Sequence, residues 1–124
     1  MPNHKVIPWA GGGEASQPGA EDTDGDALRT LRANMSRHVG VVRERAGLTE
    51  ALGAIEDMLA RVASPQARNA CTTAQLIAAA ALAREESRGG HYRRDFPEPR
   101  PELAQRTYST IGRVSIGTTA RSAA

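Results

Sequence analysis

Aromatic side chains are almost absent from this chain: Trp9, Tyr92, Phe96 and Tyr108 are the only four in 124 residues. A chain of this length has room for one small domain. Its core must therefore be built from Leu, Ile, Val, Met and many Ala residues. Because small side chains bury little area, at roughly 25 cal/mol per Å², we expect a domain that is only marginally stable on its own.

Cysteine and long apolar runs are also scarce. Cys71 is the only cysteine, which excludes an internal disulfide and a cysteine metal cluster and fits a reducing cytoplasm. The longest apolar run, residues 76–83, is far too short to cross a bilayer. The amino terminus has no run typical of a signal peptide. We therefore expect a soluble cytoplasmic protein with no membrane partner.

Lysine is nearly missing as well, because Lys5 stands beside fifteen arginines in a chain of net charge +2. The arginines are interleaved with acids, as in the runs 43–45 and 84–86. A nucleic-acid surface would gather cations on one face, with aromatic side chains to stack bases. The sequence shows neither feature, so we expect no nucleic-acid partner.

Metal and thiol chemistry have little support in the sequence. His4, His38 and His91 are too far apart to suggest a metal site. Cys71 lies on an apolar stripe with helical spacing, which favours a buried core thiol over a reactive one. We predict no metal centre.

The pattern of the chain predicts an all-α fold, a three-helix up-down-up bundle with irregular ends. Residues 1–25 are rich in Pro and Gly and are interpreted as a linker. Residues 26–98 form the predicted bundle domain. Residues 99–124 are interpreted as an irregular tail, in which Val114 and Ile116 could form a strand if a partner edge were offered.

Three apolar stripes with three- and four-residue steps define the predicted helices. The first helix starts near Asp24 to Asp26 and is interrupted near Gly40. The second follows Gly47 and ends at Ala63, and the third starts at Ser64-Pro65 and is closed by Gly89-Gly90. In order, the stripes are Leu28, Leu31, Met35, Val39, Val42; Leu48, Ala51, Leu52, Ile55, Leu59, Val62; and Ala67, Ala70, Cys71, Ala74, Ile77, Ala78, Ala81.

The densest polar segment, residues 84–95, follows the third stripe. A catalytic pair of Ser87 and His91 would still need an orienting acid and an oxyanion hole, and two glycines separate the two residues. A phosphate-binding loop would need a preceding strand and a following helix start. Arginines beside carboxylates are instead typical of a surface that fixes one domain against another. A solvated helix end is the plainer alternative.

The segment 84–98, REESRGGHYRRDFPE, resembles the carboxy-terminal domain signature of the succinate dehydrogenase and fumarate reductase flavoprotein superfamily. Within it, the L-aspartate oxidase family is the most similar. Shorter matches lie upstream, in residues 31–52 and in residues 68–84. The likeness covers residues 26–98 well and residues 99–108 loosely.

The resemblance implies an FAD enzyme that oxidises L-aspartate to iminoaspartate, the first step of de novo NAD biosynthesis, with quinolinate synthase taking the product. In that family, flavin-binding and capping domains upstream of this segment supply the cofactor and substrate sites. No catalytic, cofactor-binding or metal-binding residue is therefore assigned here, and no FAD is expected on this chain alone. The residues expected to contact the other domains are Glu86, Ser87, Arg88, His91, Arg93 and Asp95.

Two alternatives stay open at this point: a non-enzymatic helical adaptor, and the equivalent domain of a succinate dehydrogenase or fumarate reductase flavoprotein. The sequence also leaves open whether Met1 is a natural start, which electron acceptor is used, and the oligomeric state.

Overall fold

A computed structural model describes residues 20–113 of the chain, with side chains from residue 24 onward. Most of the predicted linker and the tail beyond residue 113, with its possible strand, lie outside the described residues. The described part is mostly helical: α1 spans Ala20–His38, α2 Arg45–Leu59 and α3 Pro65–Ala83, and a short 3-10 helix spans Pro101–Leu103. None of these helices is long and apolar enough to cross a lipid bilayer.

A small parallel sheet accompanies the helices, so the prediction of an all-α fold was wrong on this point. Strand β1 is Val42–Arg43, strand β2 is Tyr92–Arg93, and Val42 pairs with Tyr92 in register. Two-residue strands are too short to show an alternating pattern. Val42 had been placed on the stripe of the first helix, yet it lies in β1 and is 45% exposed.

Helix α1 begins at Ala20, earlier than predicted, and ends at His38, just before Gly40. The glycine is needed there, because a Cβ at position 40 would lie 2.7 Å from the Ser36 carbonyl oxygen. Leu31, within this helix, and Val39, directly after its end, are both buried. The predicted interruption near Gly40 is therefore confirmed.

Helix α2 starts at Arg45, before the predicted Gly47, and ends at Leu59 rather than at Ala63. Beyond Leu59, the Ala60 N–H donates to the Glu56 carbonyl at 3.2 Å, and the N–H groups of Arg61 and Val62 both donate to the Met58 carbonyl at 2.9 Å. The predicted apolar face is largely confirmed, since Leu48, Ala51, Ile55 and Val62 are buried.

Helix α3 begins as predicted. The Ser64 hydroxyl accepts the Ala67 N–H at 3.2 Å, and Pro65 occupies the first turn. The Asp24 carboxylate of α1 accepts the backbone N–H groups of Ala63 and Ser64 at 3.2 and 2.8 Å. Hydrogen bonds from Ser64 and Ala63 lower the pKa of Asp24. One acid therefore joins α1 to the start of α3.

Small side chains pack where the helices meet. Cys71 is 1% exposed, which confirms its predicted place in the core, and burial raises the pKa of its thiol. Helix α2 contacts both α1 and α3, and α1 also contacts α3. The buried apolar residues are Leu31, Val39, Leu48, Ala51, Ile55, Met58, Val62, Ala67, Cys71, Ala74, Ala78 and Ala81.

Candidate functional site

The polar segment turns away from α3 sooner than predicted. Helix α3 ends at Ala83, and Arg84 is already extended, so Gly89 and Gly90 do not close the helix. They form a tight turn instead, in which Arg88 N donates to His91 O at 2.8 Å and His91 N donates to Arg88 O at 3.0 Å. Gly89 has a φ of +58°, which a side chain would strain. After the turn the chain forms β2, which pairs with β1.

Glu86 is a fully buried carboxylate at the centre of this segment. It accepts hydrogen bonds from Arg84, from the Arg88 guanidinium at 3.1 to 3.3 Å, and from the Arg100 backbone N–H at 2.9 Å. The Arg88 contact is the main cause that lowers the pKa of Glu86 to about 2, against the opposing effect of burial. The acid therefore stays ionised and joins Arg84 and Arg88 of the segment to the backbone of Arg100 beyond it.

Arg93 is a fully buried cation at the end of α3. Its Nη1 donates to the carbonyls of Ala81 and Leu82, both at 3.0 Å, where the helix leaves carbonyls unpaired. Its Nε and Nη2 donate to the two oxygens of Asp95 at 2.8 and 2.7 Å. This two-pronged contact lowers the pKa of Asp95 to about 2. Arg93 thus caps a helix and holds an acid with one planar group.

Asp95 extends the connection to α2. Its Oδ2 accepts the Arg45 backbone N–H at 3.2 Å, at the first residue of that helix. A cation therefore lies at the carboxyl end of α3 and an anion at the amino end of α2, and both placements suit the helix dipoles. The Phe96 ring lies against the Arg93 guanidinium, with its centroid 5.1 Å away.

Ser87 and His91 do not bond to each other, because their side chains have other hydrogen-bond partners. The Ser87 hydroxyl donates to the Phe96 carbonyl at 2.8 Å and accepts the Arg93 N–H at 2.9 Å. His91 Nδ1 lies 3.0 Å from Arg43 Nη1, and Nε2 lies 3.0 Å from the Arg84 carbonyl. Because a guanidinium only donates, Nδ1 accepts and Nε2 carries the proton. This arrangement positions the segment and forms no nucleophile and base pair.

The regions that match known proteins include the polar segment. Residues 62–113 match the model of the fumarate reductase flavoprotein carboxy-terminal domain. The L-aspartate oxidase of Rhodospirillum rubrum is 47% identical over 95 residues, which are 77% of this chain and 34% of that protein. That of Caulobacter vibrioides is 46% identical over 101 residues, 82% of this chain and 19% of that protein. This chain belongs to the fumarate reductase flavoprotein carboxy-terminal domain family.

The family resemblance found in residues 84–98 is therefore confirmed. A fumarate reductase (CoM/CoB) subunit from Methanothermobacter marburgensis is also similar, at 35% identity over 88 residues, 58% of this chain and 16% of that protein. The chain spans about a third of the first of these relatives and a fifth or less of the other two. No solved structure matches the chain significantly.

The structure brings all six predicted contact residues of this flavoprotein domain into one network. Glu86, Ser87 and Arg93 are buried within the chain itself. The Arg88 side chain is 42% exposed and the Asp95 side chain 30%. His91 is half-buried. The first three therefore fix the shape of the segment, and the other three reach its surface.

The partners of this network that were not predicted include Arg43, Arg84 as a ligand of Glu86, and the Arg100 backbone. Arg43 is 48 residues from His91 in sequence. Nothing in local spacing indicates so distant a contact. Arg84 belongs to the polar segment, and its partner Glu86 is only two residues away. This short spacing was the one signal in the sequence for these contacts. Among the side chains that the structure describes, those of residues 24–113, no group of three from His, Cys, Asp or Glu could hold a metal ion.

Proposed function

We propose that this chain serves as the carboxy-terminal helical domain of an FAD-dependent L-aspartate oxidase, which oxidises L-aspartate to iminoaspartate in de novo NAD biosynthesis. The observation that carries the proposal is 46–47% identity to two L-aspartate oxidases over 77% or more of the chain. The partners in this proposal are the flavin-binding and capping domains of the same cytoplasmic enzyme. Quinolinate synthase, which consumes iminoaspartate, is a further candidate partner.

The proposed role of the domain is to dock on the flavin-binding domain and stabilise it. The polar segment supports this role, because buried ion pairs and helix-end contacts fix its shape before any partner arrives. A pre-organised surface loses little conformational entropy on binding. We further propose that residues 26–98 act as one unit, with α1, α2 and α3 arranged as an up-down-up bundle.

The described residues do not fit a flavin site, so FAD is assigned to the intact enzyme and to domains outside this chain. A dinucleotide site needs a glycine-rich turn between a strand and the start of a helix. Here Gly89 and Gly90 lie in a turn whose flanking residues bond to each other. Ser87 and His91 are also fully engaged. We therefore assign no catalytic step to this chain.

The six interdomain residues remain part of the proposal. In it, Arg88, His91 and Asp95 offer polar groups to the flavin-binding domain. Glu86, Ser87 and Arg93 act through them, because they are buried and position the exposed three.

The equivalent domain of a succinate dehydrogenase or fumarate reductase flavoprotein is the second candidate. It is favoured by the family match of residues 62–113 and by the similarity to the Methanothermobacter marburgensis fumarate reductase. That relative is less similar, at 35% identity over 58% of the chain.

A chimera tests the proposal. In it, this 124-residue chain replaces the part of the Caulobacter vibrioides L-aspartate oxidase that it matches. We expect the purified chimera to contain FAD and to oxidise L-aspartate, whereas the same enzyme ending before the replaced part should do so poorly. A chimera that loses both properties would contradict the docking role. The same replacement in the Methanothermobacter marburgensis protein, with fumarate reduction as the assay, tests the second candidate.

A further inference from the structure

The small parallel sheet has one closed edge and one open edge. On the outer side of β2, the Arg93 N–H donates to the Ser87 hydroxyl at 2.9 Å and the Arg93 carbonyl accepts the Phe96 N–H at 3.1 Å. The residue before it, Tyr92, faces β1. The edge of β2 is therefore covered by its own chain.

No other strand or loop of the described residues covers the outer edge of β1. Val42 pairs with Tyr92 in register, and Arg94 N donates to the Arg43 carbonyl at 2.7 Å. In a parallel ladder the residues of one strand bond to the partner alternately. Since Arg43 faces β2, the N–H and carbonyl of Val42 point away from it. Among the backbone groups of residues 20–113 and the side chains of residues 24–113, none bonds to them.

Apolar side chains lie along the same open edge. Val41 is 83% exposed, Val42 is 45% exposed, and Tyr92 beside them is 42% exposed. A strand edge that carries exposed apolar side chains is a template for pairing with another segment, and native proteins usually shield such an edge. This edge carries no shielding lysine or proline.

The charge at this edge indicates which kind of segment fits. Arg43, Arg84 and Arg93 are the arginines of the described part that are buried or half-buried. Arg84 and Arg93 each bind a carboxylate. Among the described residues, Arg43 binds only neutral groups, the Gly40 carbonyl and His91 Nδ1, both at 3.0 Å. A half-buried cation without an anion favours an acidic partner. It disfavours a second copy of this chain, which would bring two such cations together.

We propose that the open β1 edge, formed by Val41, Val42 and Arg43, receives an extended segment of the flavin-binding part of the same enzyme. The segment pairs its backbone with Val42, covers the apolar side chains and places a carboxylate against Arg43. The inference rests on the proposed function, and it adds a named contact surface that adjoins residues 86–95. Most of each relative's length lies outside the region matched here, so the rest of such an enzyme is long enough to supply this segment.

Hydrogen exchange in the chimera tests the backbone contact directly. The Val42 amide should exchange quickly in the chain alone, and at least about tenfold more slowly in the flavin-containing chimera. An unprotected Val42 amide in a chimera that retains FAD would overturn this inference and leave the proposed function standing. A chimera without FAD would overturn the proposed function itself. Protection in the chain alone that rises with its concentration would identify a second copy as the occupant and also overturn the inference.

Two substitutions give the second measurement. Val42→Pro removes the outward N–H without removing a hydrogen bond to β2, and Val41→Asp places an acid where the acidic segment should lie. Each should raise the dissociation constant of FAD in the chimera about tenfold, equivalent to ~1.4 kcal/mol. The matched control is Ile77→Asp, at an apolar residue of α3 that is 46% exposed. Melting of the chain alone shows whether each variant folds. If both edge variants fold and match the control in FAD affinity, the proposed edge contact does not exist.

Discussion

Glu86 and Arg93 carry opposite charges in the interior of a domain that has few large apolar side chains. Burying an ion is unfavourable unless opposite charge and hydrogen bonds compensate for the lost water. Each of the two has this compensation: Glu86 from two guanidinium groups, and Arg93 from Asp95 and the last carbonyls of α3. The polar segment therefore depends on these two residues more than on apolar contacts.

Acid should weaken the fold through Glu86. Its pKa is lowered from 4.5 to about 2, so its contribution is complete above the unfolded value and is lost as the pH falls from about 4.5 towards 2. Glu86→Gln should therefore melt well below the unsubstituted chain at neutral pH, and the two should converge near pH 2. Asp95, with a pKa lowered to about 2, weakens both proteins in a similar window. A difference in melting temperature that stays constant with pH would contradict this account of Glu86.

Lysine should not replace arginine at position 93. Arg93→Lys keeps the charge but loses the two-pronged contact with Asp95 and most of the carbonyl contacts. We expect a loss of roughly 3 kcal/mol in the free energy of unfolding, measured by urea denaturation. The neighbouring Arg94→Lys is the control, because the Arg94 side chain is 66% exposed and its ion pair is long at 3.8 Å. It should change stability by less than about 0.5 kcal/mol. Equal losses in the two variants would refute the assigned role of Arg93.

At the scale of the helices, the two glycines of α2 should respond in opposite directions. A Cβ at Gly47 would lie 2.8 Å from Nδ1 of the largely buried His38, whereas a Cβ at Gly53 meets nothing within 4 Å. Gly47→Ala should therefore destabilise the chain by about 1 to 3 kcal/mol. Gly53→Ala should stabilise it by about 0.5 to 1 kcal/mol, since Ala favours the helix. Thermal melts check both signs, and adding His38→Ala to Gly47→Ala should recover much of the loss.

Helix α3 offers a similar matched pair. Ala78 is fully buried against the other helices, and Ala80 of the same helix is exposed. Ala78→Leu should destabilise the chain by roughly 1 to 3 kcal/mol, because a close helix contact has no room for the added carbons. Ala80→Leu should be nearly neutral. Melting curves in which Ala78→Leu is also neutral would mean that this face does not pack as the structure has it.

The helices could be predicted from the sequence because their apolar stripes repeat over many residues. The start of α3 was the sharpest of these predictions, since Ser64 and Pro65 act locally. Its end was misplaced because the carbonyls of α3 are capped by Arg93, ten residues beyond the last helical residue, and not by the adjacent glycines. The β1–β2 pair joins residues fifty positions apart, and no local pattern indicates such a contact. The candidate site was thus found as a segment, while its internal partners required the fold.

At the scale of the whole molecule, charged side chains of the described residues form ion pairs with one another and do not cluster around one ligand site. Most exposed arginines around the polar segment pair with nearby acids, as Arg45 does with Glu85 at 2.7 Å and Arg100 with Glu102 at 2.8 Å. Arg43, which is half-buried, has no acid partner among the described residues, and it lies at the open strand edge described above. The molecule therefore presents a fixed polar segment and an open edge, two features that suit attachment to a larger protein.

The most direct test of the central claim is the temperature at which FAD is released, followed by flavin fluorescence. The Caulobacter vibrioides L-aspartate oxidase is compared before and after this chain replaces its matched part, and with that part deleted. We expect the chimera to release FAD several degrees above the deleted enzyme, while the chain alone, mixed with FAD, should bind none. Equal release temperatures for the chimera and the deleted enzyme would contradict the claim that this domain docks on the flavin-binding domain and stabilises it.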